Sequence, residues 1–351
     1  MIVLSLEKIP MPARKNNRSR RVLKVAARKI RPYLQIIRVD HWFKNVFMLF
    51  GVLLAYFILP VGFSPGILLR LAFAFAATCL IASSNYVLNE ILDAPTDRHH
   101  PVKKNRPVAV KKVRIRAAYV QWICLSAAGI GMAFTINRGF GFSGMIFWIL
   151  GLLYNMPPFR TKEIPYLDVL SEALNNPVRL LLGWFTLIPN KIPPVSLLIA
   201  YWMLGSFLMA LKRFAEYREI GDRKTASLYR ASFAHYNADR LMLSSFFYAV
   251  IGSLFTSVFI VKYHLELIFF LPAFALYLTY YFKLALQKSS PVQNPERLFQ
   301  ERNFVLYTLA CILLFVVMLL VHIPSLYNVF QFNESSVPPL WTVRFNAPPA
   351  S

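Results

Sequence analysis

Apolar stretches of roughly 17 to 25 residues recur along most of this 351-residue chain, and that is the length a helix needs to cross about 30 Å of hydrocarbon. About nine can be counted, at roughly 43–60, 67–90, 117–135, 140–156, 167–188, 195–211, 241–261, 265–284 and 304–323. Only 16% of the residues are charged while 57% are hydrophobic, against about 25% charged in soluble domains. Helix is the required state, because lipid leaves an open backbone without hydrogen-bond partners. No polar stretch between the two ends is long enough to hide a second core. The expected fold class is therefore an all-α membrane protein with about nine transmembrane helices. It divides into a basic N-terminal arm at 1–42, a membrane domain at 43–323 and a tail at 324–351.

The formal net charge is +23, which by itself would also suit nucleic acid. The basic run Arg14, Lys15, Arg18, Arg20, Arg21, Lys24, Arg28, Lys29, Arg31 stands just before the first apolar stretch, however. Such juxtamembrane charge binds anionic head groups and fixes topology, so membrane lipids rather than nucleic acid are the expected partner. With the N-terminus inside, the segments 92–116, 157–166, 212–240 and 285–303 join the arm on one face. Counted with Lys44 and Lys283 at the inner ends of the first and eighth runs, that side holds all but six of the 39 Lys and Arg. Arg70, Arg138, Lys191, Lys262 and Arg344 fall outside and Arg179 lies within the fifth run. This predicts a multi-pass protein of the plasma (inner) membrane with its N-terminus cytoplasmic and its tail on the far side. The apolar start Met1–Leu6 is too short for a signal-peptide core. Cys79, Cys124 and Cys311 all lie in apolar runs and read as small buried hydrophobes. The six histidines show no zinc spacing.

The inside segments also gather the carboxylates. Where the second run enters its loop, Asn85, Asn89, Asp93 and Asp97 follow one another in steps of four, which places them on one helix face. Two carboxylates at that spacing repel unless a cation lies between them. Oxygen ligands so placed suit magnesium, which keeps several waters and completes its shell with substrate phosphates. Asn and Asp within an apolar span are expensive and point to function. Lys103, Lys104 and Arg106 follow within reach of the same phosphates. Pro95 argues against an unbroken helix through Asp97.

Taken together, this run resembles the first aspartate-rich motif of the UbiA superfamily, with Glu90 where the family usually has Asp. Three further segments are similar to the same superfamily, so that the resemblance covers about 35–320. Arg38-Val-Asp-His-Trp42-Phe-Lys44-Asn45 is similar to the entry of the family's first helix, with Val39 in place of its proline. Tyr154-Asn155, Lys162, and Asp168 through Arg179 resemble the pattern of the decaprenyl-phosphate phosphoribosyltransferase branch. Lys212-Arg213-Phe-Ala-Glu216 stands where aromatic prenyltransferases of the superfamily carry a second aspartate pair, and it resembles the K-R-x-x-E of that same branch, as do Arg230 and Tyr236. Taken singly, these segments also read as an interfacial Trp–Lys anchor, an intramembrane pairing of Arg179 with Glu172, and a solvated charge run.

The resemblance implies a UbiA-like bundle with a central cavity facing the cytoplasm, capped by the loops at 92–116 and 212–240. It implies transfer of a 5-phosphoribosyl group from 5-phosphoribosyl diphosphate to a long-chain polyprenyl phosphate, with Mg2+ as cofactor. Asn89, Asp93 and Asp97 would hold the metal, and Asp93, Asp97, Lys44 and Asp168 would be the catalytic group. Asn85, Asn45, Lys103, Arg106, Tyr154, Lys162, Arg179, Lys212, Arg213, Glu216, Arg230 and Tyr236 would bind substrate. Asp168 and Glu216 are expected on ribose hydroxyls or beside Lys162 and Lys212. In the family this product feeds the arabinose donor of cell-envelope polysaccharide. A homo-oligomer is compatible with the sequence. Two other functions share the charged stripe: prenyl transfer to a small aromatic acceptor, and transport without catalysis. A transport path would also place polar groups along the opposite half of the spans, and the runs lack them. Cysteines introduced at Asn105 and Ser227 are expected to label from the cytoplasmic side and one at Ser336 from the other; labelling of all three from one side would refute the topology.

Overall fold

The computed structural model describes residues 29–58, 64–98 and 103–330; most of the basic arm, His99, His100 and the tail beyond 330 lie outside them. Among the described residues, seven helices are long and apolar enough to cross a membrane. The first, Lys29–Ile58, tightens to 3₁₀ geometry over Val39–Phe47 and continues as α1, Met48–Ile58. The others are α2 (Pro65–Asp97), α3 (Ile115–Ile136), α7 (Val195–Ile220), α8 (Ala238–Tyr263), the segment Leu265–Ala285 that ends in α9 (Leu271–Ala285), and α10 (Arg302–Leu320).

Two of the nine expected runs take another form. The run at 140–156 is α4, Arg138–Asn155, which spends part of its 18 residues on polar ends. The run at 167–188 breaks at Leu174 into α5 (Leu167–Ala173) and α6 (Asn175–Leu187). Asn175, Asn176 and Pro177 stand at the break, where two amides and a residue without an N–H weaken the ladder. Arg179 thus lies in the second turn of a short helix and not deep in a long one. Pro95 has the opposite outcome: α2 runs through it, and Asp97 closes the helix.

Contacts between connections sort the helix ends into two groups. At one end Lys162 reaches Asp93, Tyr166 meets Tyr236, and Ser289 meets Glu219. At the other Asn137 donates to the Phe185 carbonyl, Trp184 to that of Lys191, and Glu266 accepts the Ile323 N–H. The segments expected inside therefore share one end of the bundle, and those expected outside share the other. Outward faces stay apolar, with Leu69 and Phe246 exposed, as lipid-facing surface should be.

The tightest packing joins α1 to α6. A Cβ at Gly51 would collide with the Leu180 carbonyl and one at Gly183 with the Met48 carbonyl, so the two backbones touch through small residues. This brings Asn45, just ahead of α1, beside Arg179. Around the contact Leu54, Ile81, Phe140, Leu180 and Trp184 form one buried core, while Phe207, Leu211, Leu241, Tyr281 and Phe304 form a second. Gly183→Ala is expected to force the helices apart and lower the melting temperature in detergent. Gly131→Ala, where a Cβ meets nothing within 4 Å, should leave it unchanged or raise it; equal behaviour of the two would contradict the close contact.

Candidate active site

The stripe on α2 is intact, and it faces α4 and the loop that follows. Asn85 donates to the Phe147 carbonyl at 3.0 Å, and its Oδ1 is buried with no partner among the described residues; Gly151 leaves the space that the amide fills. One turn on, Asn89 donates to Asn155 Oδ1 at 2.5 Å. The same oxygen accepts from Lys162 Nζ at 3.0 Å, and Lys162 also reaches Asp93 Oδ1 at 2.5 Å. Arg160 adds a bond of 3.1 Å to that Asp93 oxygen and one of 2.5 Å to Glu163. Asp97 is held by Arg106 at 2.7 Å through Oδ2. Glu90 points elsewhere: it is buried and accepts the Val108 N–H at 3.1 Å, so it anchors the loop and stands apart from the stripe.

Burial draws the Lys162 ammonium below the ordinary lysine value although Asp93 opposes this. Lys103 is lowered further, to about 8, by burial and then by repulsion from Arg230 and Arg106. A cation destabilised by burial and by like charge gains most when an anion arrives. Asp93 and Asp97 also act on Lys103, as does Arg230, so this lysine stands between the stripe and a second charged group.

The second group centres on Arg213, whose side chain is 1% exposed. Its Nε bonds Asp168 at 3.4 Å, one terminal nitrogen Glu216 at 3.2 Å and the other Glu172 at 2.6 Å. Asp168 is wholly buried and also accepts from Ser232 at 3.1 Å and from Tyr236 at 2.7 Å. Burial and the Asp168 charge push the Tyr236 hydroxyl up, which keeps it a donor. Tyr154 donates to Glu172 at 3.0 Å. Lys212 lies 4.0 Å from Glu216, and Arg230 has a buried Nε without a partner while its guanidinium faces Phe233 at 5.9 Å.

A third contact lies deeper. Arg179 donates to Asn45 Oδ1 at 3.1 Å and stacks on Phe147 at 5.1 Å, and among the described residues it has no carboxylate partner, so the pairing with Glu172 is not formed. Lys44 lies one residue before Asn45 and is half-buried.

The structure thus joins Asn89, Asp93 and Lys162, then Asp97 and Arg106, then Asp168, Arg213, Glu216 and Tyr236, and finally Asn45 and Arg179. Two expectations change. Asp168 is sealed beneath Arg213 and positions it, out of reach of a ribose hydroxyl or of Lys162. Arg213 spends its guanidinium on three carboxylates and is not available to a phosphate. Sequence reasoning missed Arg160, Asn155 and Glu172 as members. Glu172 had a signal, since it follows Asp168 by four residues and must share its helix face.

Whether the stripe fits magnesium turns on its donors. No group of three or more His, Cys, Asp or Glu side chains able to hold a metal gathers among the described residues. The stripe offers two carboxylates and amide oxygens, one of them the orphaned Asn85 Oδ1. Hard oxygens in a partial set fit an ion that keeps water and takes phosphate oxygens from its substrate. Among the described residues, the cations now on Asp93 and Asp97 each use one oxygen of the carboxylate, which leaves the other oxygen for such an ion.

Comparison with known proteins gives a match of residues 46–307 to the model described as UbiA prenyltransferase family. The decaprenyl-phosphate phosphoribosyltransferase of Corynebacterium glutamicum is 28% identical over 189 residues, 52% of this chain and 54% of that one. The protein of the same name from Mycolicibacterium smegmatis is 26% identical over 214 residues, 59% of this chain and 63% of that one. The chain thus spans little more than half the length of these curated relatives. A UbiA homolog from Archaeoglobus fulgidus, solved with DMAPP and Mg2+, superposes with a TM-score of 0.61 over 83% of this chain and 99% of that one, at 20% identity; what is shared there is the fold.

Arg213→Gln should cost several kcal/mol, since it removes the one cation that three carboxylates share, and lower the melting temperature sharply. Lys212→Gln, at a pair that barely meets at 4.0 Å and whose lysine side chain is 23% exposed, should cost about 1 kcal/mol or less. Thermal unfolding of both in detergent checks this, and equal losses would remove Arg213 from its central place.

Proposed function

The chain belongs to the UbiA prenyltransferase family, in its decaprenyl-phosphate phosphoribosyltransferase branch, and on that footing we propose that it transfers a 5-phosphoribosyl group from 5-phosphoribosyl diphosphate to a polyprenyl phosphate. The observation that carries this reading is the Arg213 cluster. Where a prenyl diphosphate would call for a second pair of metal-binding aspartates, the carboxylates are already bound to a guanidinium. One metal site remains, on the α2 stripe, beside an excess of cations suited to a donor with phosphates at both ends.

In this reading Asn89, Asp93 and Asp97 hold magnesium. The ion, when bound, stabilises charge that develops on the leaving diphosphate. Lys162, Arg160 and Arg106 each sit on a carboxylate of the stripe through flexible side chains, so they can move onto diphosphate oxygens without leaving the site. Lys103 and Lys44 add charge on the same side. Arg230, Lys212 and Arg179 are left for the 5-phosphate or the acceptor phosphate. The bond from C1 of the ribose to the diphosphate breaks, and a bond from C1 to a phosphate oxygen of the lipid forms. That oxygen is anionic at neutral pH, so no proton need be removed and no strong base is required. The lipid tail leaves between helices into the bilayer. The active site then faces the cytoplasm of the plasma membrane, and α4 and the α5–α6 pair complete nine crossings.

A prenyl transfer reading is favoured by the prenyltransferase description of the matching family model and by a relative named protoheme IX farnesyltransferase, 26% identical over 195 residues. Incubating purified protein with labelled 5-phosphoribosyl diphosphate, polyprenyl phosphate and magnesium separates the two. The expected product is a lipid heavier by one phosphoribosyl unit, formed only with divalent metal and lost in Asp93→Ala and Asp97→Ala proteins that still fold. Turnover of a prenyl diphosphate onto an aromatic acceptor would overturn the proposal.

A further inference from the structure

We infer that Glu172, together with the Tyr154 hydroxyl, forms a subsite that reads the hydroxyl groups of the donor's pentose, an inference that rests on the phosphoribosyl donor proposed above. Three carboxylates hold Arg213, but they differ in what else they can touch. The Asp168 side chain is 0% exposed and that of Glu216 11%, while that of Glu172 is 32% exposed. Glu172 takes both Arg213 and Tyr154 through Oε2. Its Oε1 accepts no hydrogen bond among the described residues. It stands next to the last residue of α5, Ala173, just before the break at Leu174, so its carboxylate is set where the helix gives way.

The surroundings decide what that oxygen can bind. Arg213, Lys212, Arg230 and Lys44 all act on Glu172. A metal dication or an ammonium would meet like charge from four sides. A phosphate would be drawn to the same cations but repelled by the carboxylate itself. The remaining partner is a neutral donor, and a carboxylate is the strongest acceptor for hydroxyls. A ribose that carries phosphate at both ends offers two such hydroxyls, at C2 and C3. Its phosphates would lie among the cations while its diol meets Glu172. A prenyl chain offers no hydroxyl and would leave the open oxygen desolvated and unpaired. Sites built to hydrogen-bond a hydroxyl reject analogues that lack it, so this subsite would help exclude prenyl donors.

The test compares 5-phosphoribosyl diphosphate with its 2-deoxy and 3-deoxy analogues as donors to a polyprenyl phosphate in magnesium. Wild-type protein should lose roughly tenfold or more in kcat/KM with at least one analogue, the scale of one charge-assisted hydrogen bond. Glu172→Gln should lose a similar factor on the full donor and discriminate little among the three. Tyr154→Phe, which keeps the carboxylate but frees it from one donor, should alter the discrimination less. Should Glu172→Gln not fold, the deoxy series on wild-type and Tyr154→Phe protein still decides. Equal use of all three donors by wild type, or full discrimination retained by Glu172→Gln, would overturn the subsite while leaving the phosphoribosyl reaction standing. Absence of any phosphoribosyl product from wild type would overturn both.

Discussion

Arg213 sits out of water among Asp168, Glu172 and Glu216, and a buried charge of this kind persists only while its partners stay in place. The three acceptors come from α5 and α7, and Asp168 in turn holds Ser232 and Tyr236 from the connection between α7 and α8. Tyr236 then accepts the Tyr166 backbone N–H. One guanidinium therefore fixes the broken fifth segment, α7 and the following loop relative to one another. Lipid cannot supply substitute partners, so these elements are tied more firmly than their short helices would suggest.

The other wall is set by backbone contact. Gly51 and Gly183 let α1 and α6 touch, and Asn45 is thereby placed where it bonds Arg179 on one side and Cys79 on the other. Any side chain at either glycine would widen the gap and leave Arg179 without its amide. From there Phe147 carries the arrangement to α4, since it takes the Arg179 guanidinium on its ring and the Asn85 amide on its carbonyl. Packing of small residues and pairing of polar ones are thus the same constraint seen at two depths of the bundle.

Much of this was legible in the sequence, for reasons that also mark its limits. Among the described residues, seven of the nine apolar runs form helices long and apolar enough to cross a membrane, because length and hydropathy report directly on the hydrocarbon that a helix must cross. The stripe Asn85, Asn89, Asp93, Asp97 was legible because a helix repeats every 3.6 residues. The break at Leu174 was not, since Asn175 and Asn176 in an apolar run read equally as inward-facing polar residues. Nor did Pro95 stop α2, which runs on to Asp97. The roles of Lys212 and Arg213 could not be told apart from their adjacency, because which one turns inward depends on Asp168 and Glu172, some 40 residues earlier and on another helix. Arg160 escaped notice for a similar reason: its target, Asp93, is 67 residues away.

The two charged groups differ in how much they can move, and this bears on catalysis. Arg213 is enclosed on three sides and 1% exposed, so it contributes a fixed charge whose reorganisation costs nothing when substrate arrives. Lys162, Arg160 and Arg106 are between 10% and 22% exposed and each meets its carboxylate through one oxygen. They stand in for cations that a substrate complex would bring, and they keep Asp93 and Asp97 from repelling each other until it does. Displaced, they would stay beside the stripe, where the proposed reaction places the diphosphate. If the donor is the proposed phosphoribosyl diphosphate, a site assembled in this way would be rigid where the neutral sugar binds and yielding where charge passes from the breaking bond to the leaving group.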